Sequence, residues 1–270
     1  LRRAIDDPFV FSRLSPYNHI EATKSRRNQA MHGASRTFIA VCFAILISAC
    51  GGGNNPAAPM PPPPANFDLQ AGMAKMVVNG LSSNVALSGT VSVNGVSTAF
   101  TGTGTFTRAP AVSATFNGSA ALSQITTVTG TITAAGQTAP YSTSVTDYYA
   151  SSDSALLGEV SSSEYDVAQA PISFPTTVTG GSSGTLGTLS RYTDSTMSVS
   201  LGTAQVSYSL LTPVDPGSPI GIVVTTKIYD VQNTLIETDV TNYTMTSSNV
   251  VSLSGASTQN QSGMLKVTTQ

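Results

Sequence analysis

Tryptophan is absent from the 270 residues, and cysteine and histidine occur twice each. Charge is sparse as well: 10% of residues are Asp, Glu, Lys or Arg, with a formal net charge of −2. With no basic surface to attract phosphate, nucleic acid is excluded as a partner. Both histidines, His19 and His32, and one of the cysteines, Cys42, precede residue 50. From that point on the chain has Cys50 and no imidazole. That removes Ser-His-Asp and Cys-His catalysis, His or Cys metal sites and an internal disulfide. No cofactor and no metal are expected, and burial with strand pairing must supply the stability.

The few charges are unevenly placed. Residues 1–49 carry seven Lys or Arg against three acidic residues, whereas the chain from Cys50 carries five basic and eleven acidic residues. A basic start, the apolar run from Thr37 to Ile47 and then Ser48-Ala49-Cys50 have the layout of an export leader. The run is shorter than the roughly 20 apolar residues that a transmembrane helix needs. Ile47-Ser48-Ala49-Cys50 resembles the lipobox of bacterial lipoproteins. The resemblance implies cleavage between Ala49 and Cys50, a diacylglycerol on the Cys50 sulfur and attachment to a membrane through acyl chains. One chain holds marginally, and two or three hold firmly. Gly51, where Asp would retain a lipoprotein at the inner membrane, implies the outer membrane of a Gram-negative envelope. Met31 lies just ahead of the apolar run and is the expected start, with residues 1–30 an upstream extension to which no fold is assigned.

Residues 50–80 read as the lipidated cysteine and a tether, flexible through Gly51-Gly52-Gly53 and stiff through Pro61 to Pro64. Beyond Leu81 the pattern is that of strands. Val85, Leu87, Val91 and Val93 alternate with small or polar residues, and no window carries a sustained helical stripe. Asn79-Gly80, Asn94-Gly95 and Asn117-Gly118 are hairpin signals, and Gln232-Asn233 is a further turn. The apolar parity changes at Gly202-Thr203, which predicts a β-bulge or tight turn. Two echoes run through the chain. Gly102 to Arg108 resembles Gly184 to Arg191, and Tyr149, Leu156-Leu157-Gly158-Glu159, Tyr165 resembles Tyr229, Leu235-Ile236-Glu237, Tyr243. The expected architecture is all-β, with antiparallel strands in two similar meander or sandwich-like units, 81–173 and 174–270, after a disordered leader and tether. Gly184-Thr185-Leu186-Gly187 followed by Tyr192-Thr193-Asp194-Ser195-Thr196 resembles a segment of uncharacterised proteobacterial lipoproteins with a Thr/Ser-rich β domain. That resemblance implies no activity.

Chemistry has few places to reside. Gly180-Gly181-Ser182-Ser183-Gly184 matches G-x-S-x-G, but a nucleophile elbow needs a strand-to-helix turn and a histidine. A loop between two strands is the better reading. Asp147, Asp153, Glu159, Glu164 and Asp166 form the densest acidic cluster; carboxylate pairs can hydrolyse glycosides or hold calcium, and turn acids are commonly just solvated. Tyr148, Tyr149, Tyr165, Tyr229 and Tyr243 could build a contact surface for a protein or glycan, or sit singly on sheet faces. The expectation is a lipid-anchored envelope lipoprotein that is not an enzyme and has a structural or binding role. The alternative is a carrier whose curved sheet encloses a lipid or other amphiphile.

Overall fold

The computed structural model describes residues 66–93, 96–213, 215 and 217–270. The lipobox residues Ala49 and Cys50 and the Asn94-Gly95 turn lie outside them. A short strand β1 (Asn66–Phe67) leads into a helix α1 (Leu69–Asn79). The strands β2 (Leu81–Val93), β3 (Val96–Arg108), β4 (Val112–Phe116), β5 (Ser119–Ala134) and β6 (Gln137–Tyr149) follow. Next come β7 (Leu156–Val160), β8 (Tyr165–Ile172), β9 (Val178–Thr179), β10 (Ser183–Tyr192) and β11 (Ser200–Leu210). The last are β12 (Ile220–Tyr229), β13 (Leu235–Met245), β14 (Val251–Asn260) and β15 (Gly263–Thr269).

All the pairings are antiparallel, as expected of this sequence, and twelve strands close into a barrel. The order is β3-β2-β15-β14-β13-β12-β11-β10-β8-β7-β6-β5, and β5 returns to β3 through Arg108↔Thr126 to Phe100↔Ala134. Residues 81–173 and 174–270 are therefore two arcs of one ring, joined at β15–β2 and at β10–β8, and neither arc closes on itself. Closure depends on glycine. Gly104 faces Gly130 across the β3–β5 ladder, and a Cβ at either would collide with a carbonyl oxygen of the other strand. Glycine inside a strand commonly marks such a corner, where two backbones come close.

Side chains alternate in and out around the ring, with the register shifting at the bulges. Val85, Leu87, Phe100, Phe106, Val128, Ile132, Ile222 and Val267 point inward and are buried. Thr101, Thr103, Thr129, Thr131 and Thr133 face outward. A barrel that spans a membrane has the reverse arrangement, an apolar outer band around a polar lumen. Here hydroxyls clothe the outside and much of the inward surface is hydrocarbon. Among the described residues no helix is long and apolar enough to cross a membrane.

Residues 69–79, assigned above to the tether, are helical because local signals agree. Asp68 caps the N-terminus by accepting from the Ala71 N–H at 2.9 Å, and Gly80 at φ 69° ends the helix. Asn79-Gly80 is thus a helix stop and not a hairpin. The buried Leu69, Gly72, Met76 and Val77 fall on one face. Gly72 leaves room for the Met245 side chain, and Leu69 and Met76 join the core, so α1 stoppers one end of the barrel. Gln124, wholly buried on β5, fastens it by donating to the carbonyls of Met76, Val77 and Ala109 at 3.2, 3.1 and 2.9 Å. Among the described residues, the turns expected at Asn117-Gly118 and Gln232-Asn233 form as read. Asn117 and Gly118 both have positive φ, the signature of a tight hairpin turn. The β10–β11 register shifts where Arg191↔Gly202 gives way to Tyr192↔Ser200, which is the predicted bulge. Residues 180–182 join β9 to β10, a strand-to-strand turn.

The ring is thinnest around β7. Its ladder to β6 runs only through Thr146–Tyr149, its ladder to β8 is shifted between Leu156 and Gly158, and β8 meets β10 only at Tyr165–Ala168. Segments with short ladders open at lower cost than long-laddered ones. In native-state hydrogen exchange the amides of Gly158 to Val160 should exchange about tenfold or more faster than those of Thr127 to Thr133 on β5. Equal protection of the two would show that the seam is no weaker than the rest.

Candidate functional site

The lumen of the barrel holds a partly open cavity of about 410 Å³. Leu156, Ile172, Leu189, Val206, Val224 and Ile228 provide one apolar wall, contributed by β7, β8, β10, β11 and β12. Beyond the end of β7, Thr143, Ser144 and Val145 on β6 also line it, with Ser161. The volume falls in the range of about 300–1,000 Å³ typical of small-molecule sites.

Polar groups are set into this lining with clear geometry. Arg108, at the end of β3, donates through Nη2 to Asp147 and to the Tyr149 hydroxyl at 2.6 Å, and through Nη1 to the Tyr243 hydroxyl at 3.1 Å. The Tyr149 hydroxyl donates in turn to Asp147 at 3.2 Å. Tyr243 is on β13 and Asp147 and Tyr149 are on β6, strands six places apart in either direction around the ring. The guanidinium therefore braces opposite walls across the lumen. Burial works against its charge, but Tyr149, Tyr243 and Asp147 outweigh that and hold its pKa above the ordinary arginine value.

A second buried ion cluster joins Arg191 Nη2 to Glu164 at 2.7 Å, with Asp166 at 3.9 Å from Nε. In the ladder register Gln124, Asp147, Glu159, Asp166, Arg191 and Gly202 are successive neighbours from β5 round to β11, a polar row inside an apolar barrel. On β13, Glu237 accepts from the Asn260 amide at 3.1 Å, and Asp239 lies two residues further along the same inward face.

The acidic cluster is therefore not solvated, apart from one member. Asp147, Glu164 and Asp166 are buried and Glu159 lines the cavity, while Asp153 is exposed and accepts from the Ala155 N–H. The reason is strand parity: the sequence places these acids near turns, and the ring turns their side chains inward. Among the described residues no group of His, Cys, Asp and Glu could hold a metal ion.

The five tyrosines do not share a surface. Tyr149 and Tyr243 are inside, on the Arg108 brace. Tyr148 and Tyr165 are outside, sandwiching Phe116 with ring centroids 4.6 and 5.4 Å away, and Phe116 fills the notch left by Gly158. Tyr229 ends β12, far from both groups in the ladder. Arg108, Glu237, Asp239 and Asn260 were not singled out as site residues from the sequence. The two arginines close the echoed segments and Glu237 stands in the second echo, which is the signal that could have found them.

No family model matches this chain, and no curated protein does. Among solved structures it is similar to a domain from Vibrio parahaemolyticus described as an outer membrane lipoprotein-sorting protein domain. The identity is 11%, over 75% of this chain and 90% of that one, with a TM-score of 0.26.

Two outcomes test the interior described. Asp147→Ala should strand the Arg108 charge in the lumen and cost about 3–5 kcal/mol in denaturant unfolding, while Arg108→Met combined with Asp147→Leu should recover much of it. A double variant no more stable than the single would show that the brace carries no buried charge cost. Burial pushes the Tyr141 phenol up to about 12 and the Tyr149 phenol well above its ordinary value, despite Arg108 opposing the latter. Their native-state protonation stabilises the fold fully below the unfolded pKa, near 10. Above it the unfolded chain loses protons that the native state keeps, so stability falls as pH rises, approaching about 1.4 kcal/mol per unit for each group. Tyr141→Phe should flatten that alkaline slope in unfolding experiments from about pH 9 to about pH 11, and an unchanged slope would contradict the assignment.

Proposed function

We propose that this protein is a non-enzymatic binding protein, a carrier that encloses a small amphiphile inside its barrel. The observation that carries the reading is the cavity of about 410 Å³, lined by apolar side chains with a row of polar groups running beside them on the same strands, inside a ring whose outer face is hydroxyl-rich. A barrel that needed only stability would fill its lumen with side chains, since interiors are packed without voids much larger than a water molecule. Here the Arg108 brace holds facing walls apart, and the space beside it is left open. The apolar wall suits a hydrocarbon body, and the polar row suits a head group. The short ladders around β7 offer the least costly way in for such a ligand.

In this reading the barrel is the exported body of a lipoprotein, anchored through acyl chains on Cys50 in the outer membrane of a Gram-negative envelope. The lipobox at Ile47 to Cys50 supports that part. It is independent of the cavity and can fail without it.

The cavity reading is tested with N-phenyl-1-naphthylamine, a neutral apolar fluorophore. It should bind one per chain with enhanced emission. Thr241 points into the cavity from β13, and Thr238 points outward beside Lys227 and Gln259. Thr241→Trp should fill the space and weaken binding about tenfold or more, whereas Thr238→Trp should leave it unchanged. Binding that is absent, or equally affected by both substitutions, overturns the carrier reading.

A further inference from the structure

The lysines of the described body, Lys75, Lys227 and Lys266, are all on its outside. The cavity lining, by contrast, includes five carboxylates, Asp147, Glu159, Asp166, Glu237 and Asp239, against the single guanidinium of Arg108. The formal charge of that lining is −4, five acids less one cation. Adding Arg191 and Glu164, which pair with each other beside it, leaves the figure unchanged. Glu159 on β7 and Glu237 and Asp239 on β13 approach the lumen from opposite arcs of the ring, so carboxylates face the cavity from both sides.

The aromatic lining points the same way. Phe106, Tyr141, Tyr149 and Tyr243 all border the cavity. Ring faces are the negative part of an aromatic quadrupole and attract cations, most strongly where water is excluded. The barrel's own cation, Arg108, is already seated among two of these phenols and a carboxylate, which shows that the lumen accommodates positive charge.

Resting on the carrier reading, we propose that the ligand is a cationic amphiphile, an apolar chain or ring system bearing an amine or quaternary ammonium. The hydrocarbon lies along the Leu189, Val206 and Ile228 wall, and the head group lies toward Glu159, Glu237 and Asp239. A carboxylate or phosphate head would add negative charge to a lining that already has it in excess, at a cost that low polarity makes larger than in water. Fatty acids and anionic phospholipids are thereby disfavoured.

Displacement of bound N-phenyl-1-naphthylamine from the full exported chain tests this with three competitors of one chain length, each below its micelle threshold: dodecyltrimethylammonium, dodecanol and dodecanoate. The ammonium should displace at a concentration about tenfold below that of dodecanol, with dodecanoate weaker than both. Glu237→Gln with Asp239→Asn should shrink the ammonium advantage over dodecanol to about threefold or less, each competitor being referred to the variant's own fluorophore affinity. Glu159→Gln, on the other arc, gives the same readout if the paired substitution does not fold. Dodecanol or dodecanoate competing as well as the ammonium, with the fluorophore still bound, would overturn the cationic assignment and leave the carrier reading standing. Failure of the fluorophore and of all three competitors to bind would remove the carrier reading itself.

Discussion

Everything in this molecule depends on β3 being paired on both sides. Its ladder to β2 is a hairpin that any local pattern would form, but its ladder to β5 turns an open sheet into a ring. Without that second ladder the inward faces of twelve strands would have no enclosed side. The apolar residues on them would need another layer to cover them, and the buried arginines would face water. Facing glycines at the junction allow the two backbones to approach closely enough for the ladder to form. The ring also needs β15 to meet β2, a long-range pairing whose energetic return comes only when the first and last strands of the barrel come together.

Closure also explains how so weakly charged a chain can keep ions inside. Once the ring is shut, the lumen is a region of low polarity with a fixed inventory of side chains. Arg108 and Arg191 each lie against carboxylates within it. Ion pairs of this kind seldom add net stability over apolar packing. Their effect here is geometric: a side chain that bonds to opposite walls sets the spacing of those walls, and the spacing determines whether a void remains. Stability comes instead from the alternating hydrocarbon of Val85, Leu87, Ile222 and Val267, and from the helix that Gln124 ties across one end.

Much of this was legible from the residues. Alternation through Val85, Leu87 and Val91 names the inward face of β2 correctly, because period two is a local property. Asn117-Gly118 and the parity change at Gly202 are equally local, and both occur as read. The helix was missed although Asp68, the Leu69, Met76, Val77 spacing and Gly80 mark it, because Asn79-Gly80 serves as a helix stop as readily as a turn. The site was much less legible. Which way Asp147 or Glu237 faces depends on strand parity within a ring, and ring closure depends on partners as distant in the chain as Val85 and Thr269. The echoed segments held part of the answer: Arg108, Arg191, Glu159 and Glu237 all lie inside, while the tyrosines echoed with them divide between the two faces.

The hairpin of β4 and β5 has a consequence of a different kind. A closed barrel removes the open strand margins through which β proteins stack edge to edge, but β4 has a ladder on one side alone, to β5. Its Val112, Ser113 and Thr115 are exposed, which leaves a short docking rail for a foreign strand. Phe116, clasped between Tyr148 and Tyr165 over Gly158, pins that rail against the wall and limits its length to five residues. Three aromatic rings on the outside of the barrel thus hold that margin against the wall, where a foreign strand has least room to pair.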